Sequence, residues 1–105
     1  MSYKWPDKDK DEIIDYSVDW SRFLGSDIIS AVTWFIDDAS GVKTQVANAT
    51  TVNGLQFVSG TSTATVATAR FSLGTDNVRY NITCRVTTNR GLQYERSIFL
   101  RVKEK

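Results

Sequence analysis

The chain has 105 residues, with 13 basic and 12 acidic side chains, a formal net charge of +1, 41% hydrophobic and 24% charged residues. That is the make-up of one globular domain with a real core, and charge scattered in both signs argues against generic nucleic-acid binding, which shows a basic face. Histidine is absent and Cys84 is the single cysteine, which removes the commonest general base, the usual nucleophile pairs, a zinc site and an internal disulfide.

No apolar run approaches the ~20 residues needed to span a bilayer. The polar opening MSYKWPDKDKDE cannot serve as a signal-peptide hydrophobic region, so neither a membrane association nor general secretory export is expected.

Residues 1–12 read as an extended arm, with the residue before Pro6 pushed towards extended geometry. Residues 13–20 alternate: Ile14, Tyr16, Val18 and Trp20 share one face of a strand, and Ile13, Asp15, Ser17 and Asp19 the other. Ser21 to Gly25 is a turn or single helical turn ended by the glycine. A second strand covers 27–37, with Ile28, Ser30, Val32, Trp34 and Ile36 on one side. Its other side carries Ile29, Ala31, Thr33 and Phe35, so cover on both faces is expected.

Asp38 to Gly41 is a turn, Val42 to Thr51 is weakly patterned, and Asn53-Gly54 is a tight-turn pair before a short strand at Leu55 to Val58. Ser59 to Thr61 is expected as loop. The strand over 63–73 places Val66 and Phe71 at opposite parity, which a bulge near Ala69 would reconcile. After Gly74 to Asn77 comes a hairpin: Tyr80, Ile82, Cys84 and Val86 face inward, Asn89-Arg90-Gly91 turns, and Ile98, Leu100 and Val102 face inward again. About seven short strands punctuated by turns predict an all-β fold, an immunoglobulin-like or fibronectin-type β-sandwich over 13–105 behind the arm. Leu73-Gly74-Thr75 followed by Tyr80 has the form of a tyrosine corner.

Few residues suggest chemistry. Asp7, Asp9 and Asp11 begin like a calcium loop, but Glu12 stands where glycine is needed, Val18 where glutamate is needed, and Lys8 and Lys10 interleave. Asp37 and Asp38 are adjacent in one strand, so they point apart; a turn entry is the better reading. Trp34 and Trp20 read as core. Cys84 alternates with Ile82 and Val86 and reads as a small core residue. Asn48 and Asn81 match the glycosylation pattern, which means little without secretion.

Trp5 lies in polar surroundings where burial is hard to arrange, so Trp5 and Pro6, with Asp7, Asp9 and Asp11, read as a partner-docking arm. Phe99 and Tyr94 are expected on the face opposite Ile98 and Leu100, and Phe99 marks a second covered surface. No catalytic, metal-binding or cofactor-binding residue is expected.

Lys8-Asp9-Lys10-Asp11-Glu12-Ile13-Ile14-Asp15-Tyr16-Ser17-Val18-Asp19-Trp20, then Thr33-Trp34, Ala69 to Gly74-Thr75, Tyr80, Arg85 to Thr88, Gly91 and Glu95-Arg96-Ser97 follow in order. In these features the sequence resembles a family of small tailed-bacteriophage structural proteins described as fibre–tail adaptors. Lys10 replaces the family's usual proline, Cys84 stands where asparagine is common, and Asp38 to Thr61 matches poorly. The resemblance implies an Ig-like virion component, assembled in the host cytoplasm and acting without catalysis. It would bind tail, fibre or connector proteins as an oligomeric ring or in multiple copies, with the Lys8–Asp11 arm and the Asp15–Trp20 strand as structural or contact elements. A capsid decoration protein and a carbohydrate-binding module of a host-attachment structure are the alternatives.

Overall fold

A computed structural model describes residues 3–103. Its strands are β1 (Tyr3–Lys4), β2 (Ile14–Asp19), β3 (Ile29–Asp37), β4 (Lys43–Val46), β5 (Thr50–Val52), β6 (Leu55–Ser62), β7 (Val66–Leu73), β8 (Arg79–Thr88) and β9 (Gln93–Arg101), with one helical turn α1 (Ser21–Leu24) after β2. They form two sheets, in the orders β1-β9-β8-β3-β4 and β2-β7-β6-β5. Among the described residues the strand pairings are antiparallel except β1 with β9, which an isolated parallel bridge between Lys8 and Val102 extends. The fold is therefore an all-β sandwich.

The period-two faces close on one another. Tyr16 and Val18 of β2 and Trp20 after it meet Ile82, Cys84 and Val86 of β8 and Ile98 and Leu100 of β9 in one buried cluster. Gly25 ends α1 with φ 58°, as its position after the helical turn predicts. Asn53 and Gly54 both have positive φ, at 50° and 87°. This is the twist a two-residue hairpin needs, and it connects β5 to β6. The Tyr80 hydroxyl donates to the Asn53 carbonyl at 2.7 Å and accepts from the Thr75 N–H at 2.9 Å. One buried phenol thus ties the start of β8 to two turns.

Four expectations change. Ile28 is exposed and Ile29 is buried, the reverse of the simple alternation, because the β3–β8 register shifts between Ile29 and Ala31. The extra residue, Ser30, donates its hydroxyl to the Thr87 and Thr88 carbonyls. Ser59 to Thr61 are strand, not loop: they continue the ladder with Arg70, Ala69 and Thr68. Turn-forming composition yields here to the cross-strand bonds that β7 offers. The bulge expected near Ala69 lies instead on the partner strand, between Phe57 and Ser59. β7 runs in unbroken register with β2, putting Ala67, Ala69 and Phe71 inward and leaving Val66 half-buried. Finally, Tyr94 shares the parity of Ile98 and Leu100 and packs against the core, so only Phe99 occupies the outer face.

The largest correction concerns the N-terminal segment. Trp5 is 9% exposed and belongs to the core. Its ring stacks on Tyr16 at 4.8 Å and leans on Phe71 and Trp34. Its backbone N–H donates to Phe99 O and its indole N–H to Ser17 O. One residue thereby joins β9 of one sheet to β2 of the other, closing the gap between two sheet edges. Lys8 is fully buried, and its ammonium donates to the Asp9 and Leu73 carbonyls, both at 2.7 Å. Lys8 N–H donates to Arg101 O, and Lys103 N–H to Lys8 O. Polar neighbours in sequence did not prevent burial, because backbone bonds from Trp5 and Lys8 to Phe99 and Arg101 hold the segment along β9 and carry both side chains inward.

Candidate partner-binding surfaces

With Trp5 turned inward, the residues expected beside it keep separate surroundings. Pro6 is exposed, and its carbonyl accepts the Tyr16 hydroxyl at 2.9 Å. Burial, helped by the nearby charges of Glu12 and Asp7, pushes that phenol up to about 12. Asp7 lies 3.6 Å from the Lys4 ammonium. Asp9 and Glu12 build a turn: the Asp9 carboxylate accepts the Asp11 N–H and the Glu12 carboxylate accepts the Asp9 N–H. Asp11 itself is exposed. Among the described residues, no group of three or more acidic, cysteine or histidine side chains is placed to hold a metal ion.

Phe99 is half-buried on the outer face of the five-stranded sheet, with the Arg79 guanidinium 4.6 Å from its ring. Its register partner is Lys4. The β1–β9 pairing thus brings Phe99 beside Lys4, which in turn pairs with Asp7, an association that sequence distance hides, while Asp9 and Asp11 sit in the turn beyond Lys8.

Asp38 accepts the N–H groups of Ser40 and Val42 and serves the β3–β4 turn, as expected, whereas Asp37 accepts the Asn81 amide of β8 at 3.0 Å. Burial pushes the Cys84 thiol up to about 12, which keeps it protonated and unreactive. Trp20 and Trp34 are core residues, at 1% and 4% exposure.

Residues 8–101 match the family described as Podophage GP4 fiber-tail adaptor protein gp77. The chain belongs to that family. No curated protein matches the chain. Membership makes it a phage structural protein of the fibre–tail adaptor kind, located in the virion. The matched span begins at the buried Lys8 and runs through β2 to the end of β9, so it covers the four-stranded sheet and all of the five-stranded one but β1.

Two surface clusters of this adaptor-family chain escaped sequence reasoning. On the outer face of the five-stranded sheet, Phe35 is only 7% exposed, because Arg85 and Lys43 lie over its ring at 4.6 and 5.7 Å. Glu95 accepts from both cations at 2.8–3.0 Å, and these bonds hold its carboxyl below the usual carboxylate range. The doubly apolar pattern of β3 was the available signal. The second cluster joins α1 to β9: the Arg96 guanidinium lies 4.9 Å from the Trp20 ring and 4.7 Å from the Phe23 ring. No local pattern links residues so far apart in sequence.

Proposed function

We propose that this chain is a non-enzymatic adaptor with an Ig-like sandwich, present in several copies per particle. It joins tail, fibre or connector proteins through protein–protein contacts, without binding nucleic acid or membrane. The observation that carries this reading is the family match over residues 8–101, which spans β2 to β9. The Tyr80 corner and the two-sheet strand order support the Ig-like type.

The contact surface would include Pro6, Asp7, Asp9, Asp11 and Phe99. Trp5 supports it from within rather than touching the partner. Because Trp5 and Lys8 anchor the segment, a partner meets it already ordered, and less conformational entropy is lost on docking. A stable contact buries about 1,200–2,000 Å² in total, which a body of 41 × 27 × 25 Å can offer on one side. Trp5, Trp20 and Trp34, at 9%, 1% and 4% exposure, present no ring face on which a sugar could stack.

Quantitative mass spectrometry of purified particles, counted against the major capsid protein, tests the proposal. A few to a few tens of copies per particle would support the adaptor. Hundreds would make it a capsid decoration protein, and absence would remove it from the virion.

A further inference from the structure

On the outer face of the five-stranded sheet, the β8–β9 ladder is matched in charge at one rung and mismatched at another. Arg85 stands opposite Glu95, and its guanidinium donates to that carboxylate at 2.8–3.0 Å. Further along the same two strands, Arg79 stands opposite Arg101. Directly opposed side chains on one sheet face have Cβ atoms about 4.5–5.5 Å apart, and like charges there destabilise the pair. A rung that costs stability, with no bond inside the chain to offset it, is where an external partner is to be sought.

Neither arginine is neutralised. Among the described residues, Arg79, Arg101 and the exposed Lys103 form no ion pair. The Arg79 guanidinium rests 4.6 Å from the Phe99 ring, a contact that leaves its charge in place. The carboxylates nearest in the fold serve other groups: Asp7 faces Lys4 at 3.6 Å, Asp37 accepts the Asn81 amide, and Asp76 accepts the Asn77 amide. After Lys103 the sequence adds Glu104 and Lys105, whose charges are opposite. Three unpaired cations thus collect at the corner where β8 begins and β9 ends, beside the half-buried Phe99.

Guanidinium groups pair best with carboxylates, and the chain has almost none to spare. Every described carboxylate except Asp11 already accepts an N–H or faces a cation, and Asp11 follows Lys10 directly. A two-fold contact between copies centred on this corner would set its cations against themselves. A second copy therefore supplies the wrong charge. A nucleic acid fits poorly for another reason. Its affinity comes from many phosphate contacts, whereas here Asp7 and Asp37 stand on either side of Phe99, through Lys4 and Asn81, in a chain of net charge +1.

From this we infer that the corner formed by Arg79, Arg101, Lys103 and Phe99 docks an acidic segment of a different particle protein, with carboxylates on the two guanidiniums. This rests on the adaptor reading and names the chemistry of one partner.

The test counts the chain in particles grown with the wild-type gene and with Arg79→Glu, Arg101→Glu and Arg101→Lys, after thermal melting of each purified variant. Each charge reversal turns a like-charge rung into an opposite-charge one, so the melting midpoint is expected to hold or rise. Incorporation is nevertheless expected to fall about fivefold or more. Arg101→Lys keeps the charge and should retain incorporation within about twofold. A lower midpoint in both reversals, or their full incorporation, overturns the inference and leaves the adaptor reading standing. Absence of the wild type from particles ends both. Arg101→Lys also brings an amine to the corner for carbodiimide coupling, which joins amines to carboxylates in contact. A link from position 101 to an acidic residue of a different particle protein supports the assignment. A link only to another copy of this chain, or no link to any other chain, overturns it. Duplex-DNA binding by the purified wild type that Arg101→Glu abolishes overturns it as well, in favour of a nucleic acid.

Discussion

The N-terminal segment and the α1 turn are both short excursions that carry an aromatic residue, yet they treat it in opposite ways. Trp5 is drawn between the sheets, its backbone N–H bonded to Phe99 O of one and its ring N–H to Ser17 O of the other. Phe23 is left half outside, steadied by Arg96. The difference lies in what each position must close. β9 and β2 leave a gap that Trp5 fills, whereas Leu24 already fills the space under α1. Aromatic residues in polar sequence are thus not equivalent: one holds the fold together, and the other remains available for contact.

The sharpest way to break this contrast is Trp5→Ala. Removing a buried tryptophan ring typically costs about 3–5 kcal/mol, so thermal melting should show a midpoint lower by roughly 12 °C or more. A near-native melt would mean that the segment is a loosely held arm after all. Lys8→Ala should follow, at about 1–3 kcal/mol, because the Asp9 and Leu73 carbonyls lose their donor inside the fold. Urea denaturation measures it.

Tyr80→Phe sits outside both regions and calibrates them. It strips a donor from Asn53 O and an acceptor from Thr75 N–H, for an expected loss of about 1–2 kcal/mol in the same denaturation series.

Alkaline pH probes the core beneath each region. Tyr16, under Trp5, is raised from 10.0 to about 12, and Cys84, close to Trp20, is raised from 9.0 to about 12, in both cases first through burial. Both groups are neutral when protonated, and the fold holds the proton more tightly than the unfolded chain does. Their contribution is complete below about pH 9 and is lost as pH rises towards 12. Melts taken from pH 8 to 11 should therefore show a falling midpoint, and Cys84→Ala should remove the earlier part of the fall. A flat profile would deny that either group is sealed from water.

The smallest effect is expected for Phe23→Ser, under about 1 kcal/mol, since only a partial ring contact is lost. A loss as large as that of Trp5→Ala would make Phe23 a core residue and erase the contrast.

Much of the architecture was legible because it rests on local rules. Alternation in 14–20, 80–86 and 98–102 located β2, β8 and most of the inward set. Asn53-Gly54, Asp38 to Gly41 and Asn89 to Gly91 marked turns through their own backbone and side-chain chemistry. Tyr80 announced its corner by its spacing from Leu73-Gly74-Thr75. Tyr94 was misplaced although its parity with Ile98 and Leu100 is in the chain itself; three other differences share one cause. The shift at Ser30, the bulge opposite β7 and the strand at Ser59 to Thr61 depend on the partner strand, which the local sequence does not contain.

The same division holds for the surfaces. The sequence by itself determined the fold class, the hairpins and the resemblance to the fibre–tail adaptor family, since periodicity, turn chemistry and motif order are properties of the linear chain. Only the tertiary structure decided that Trp5 and Lys8 lie inside, that Phe99 neighbours Lys4, and that Arg96 sits over Phe23. Those contacts join residues brought together by sheet closure, and whether a side chain is buried depends on what the other sheet leaves open.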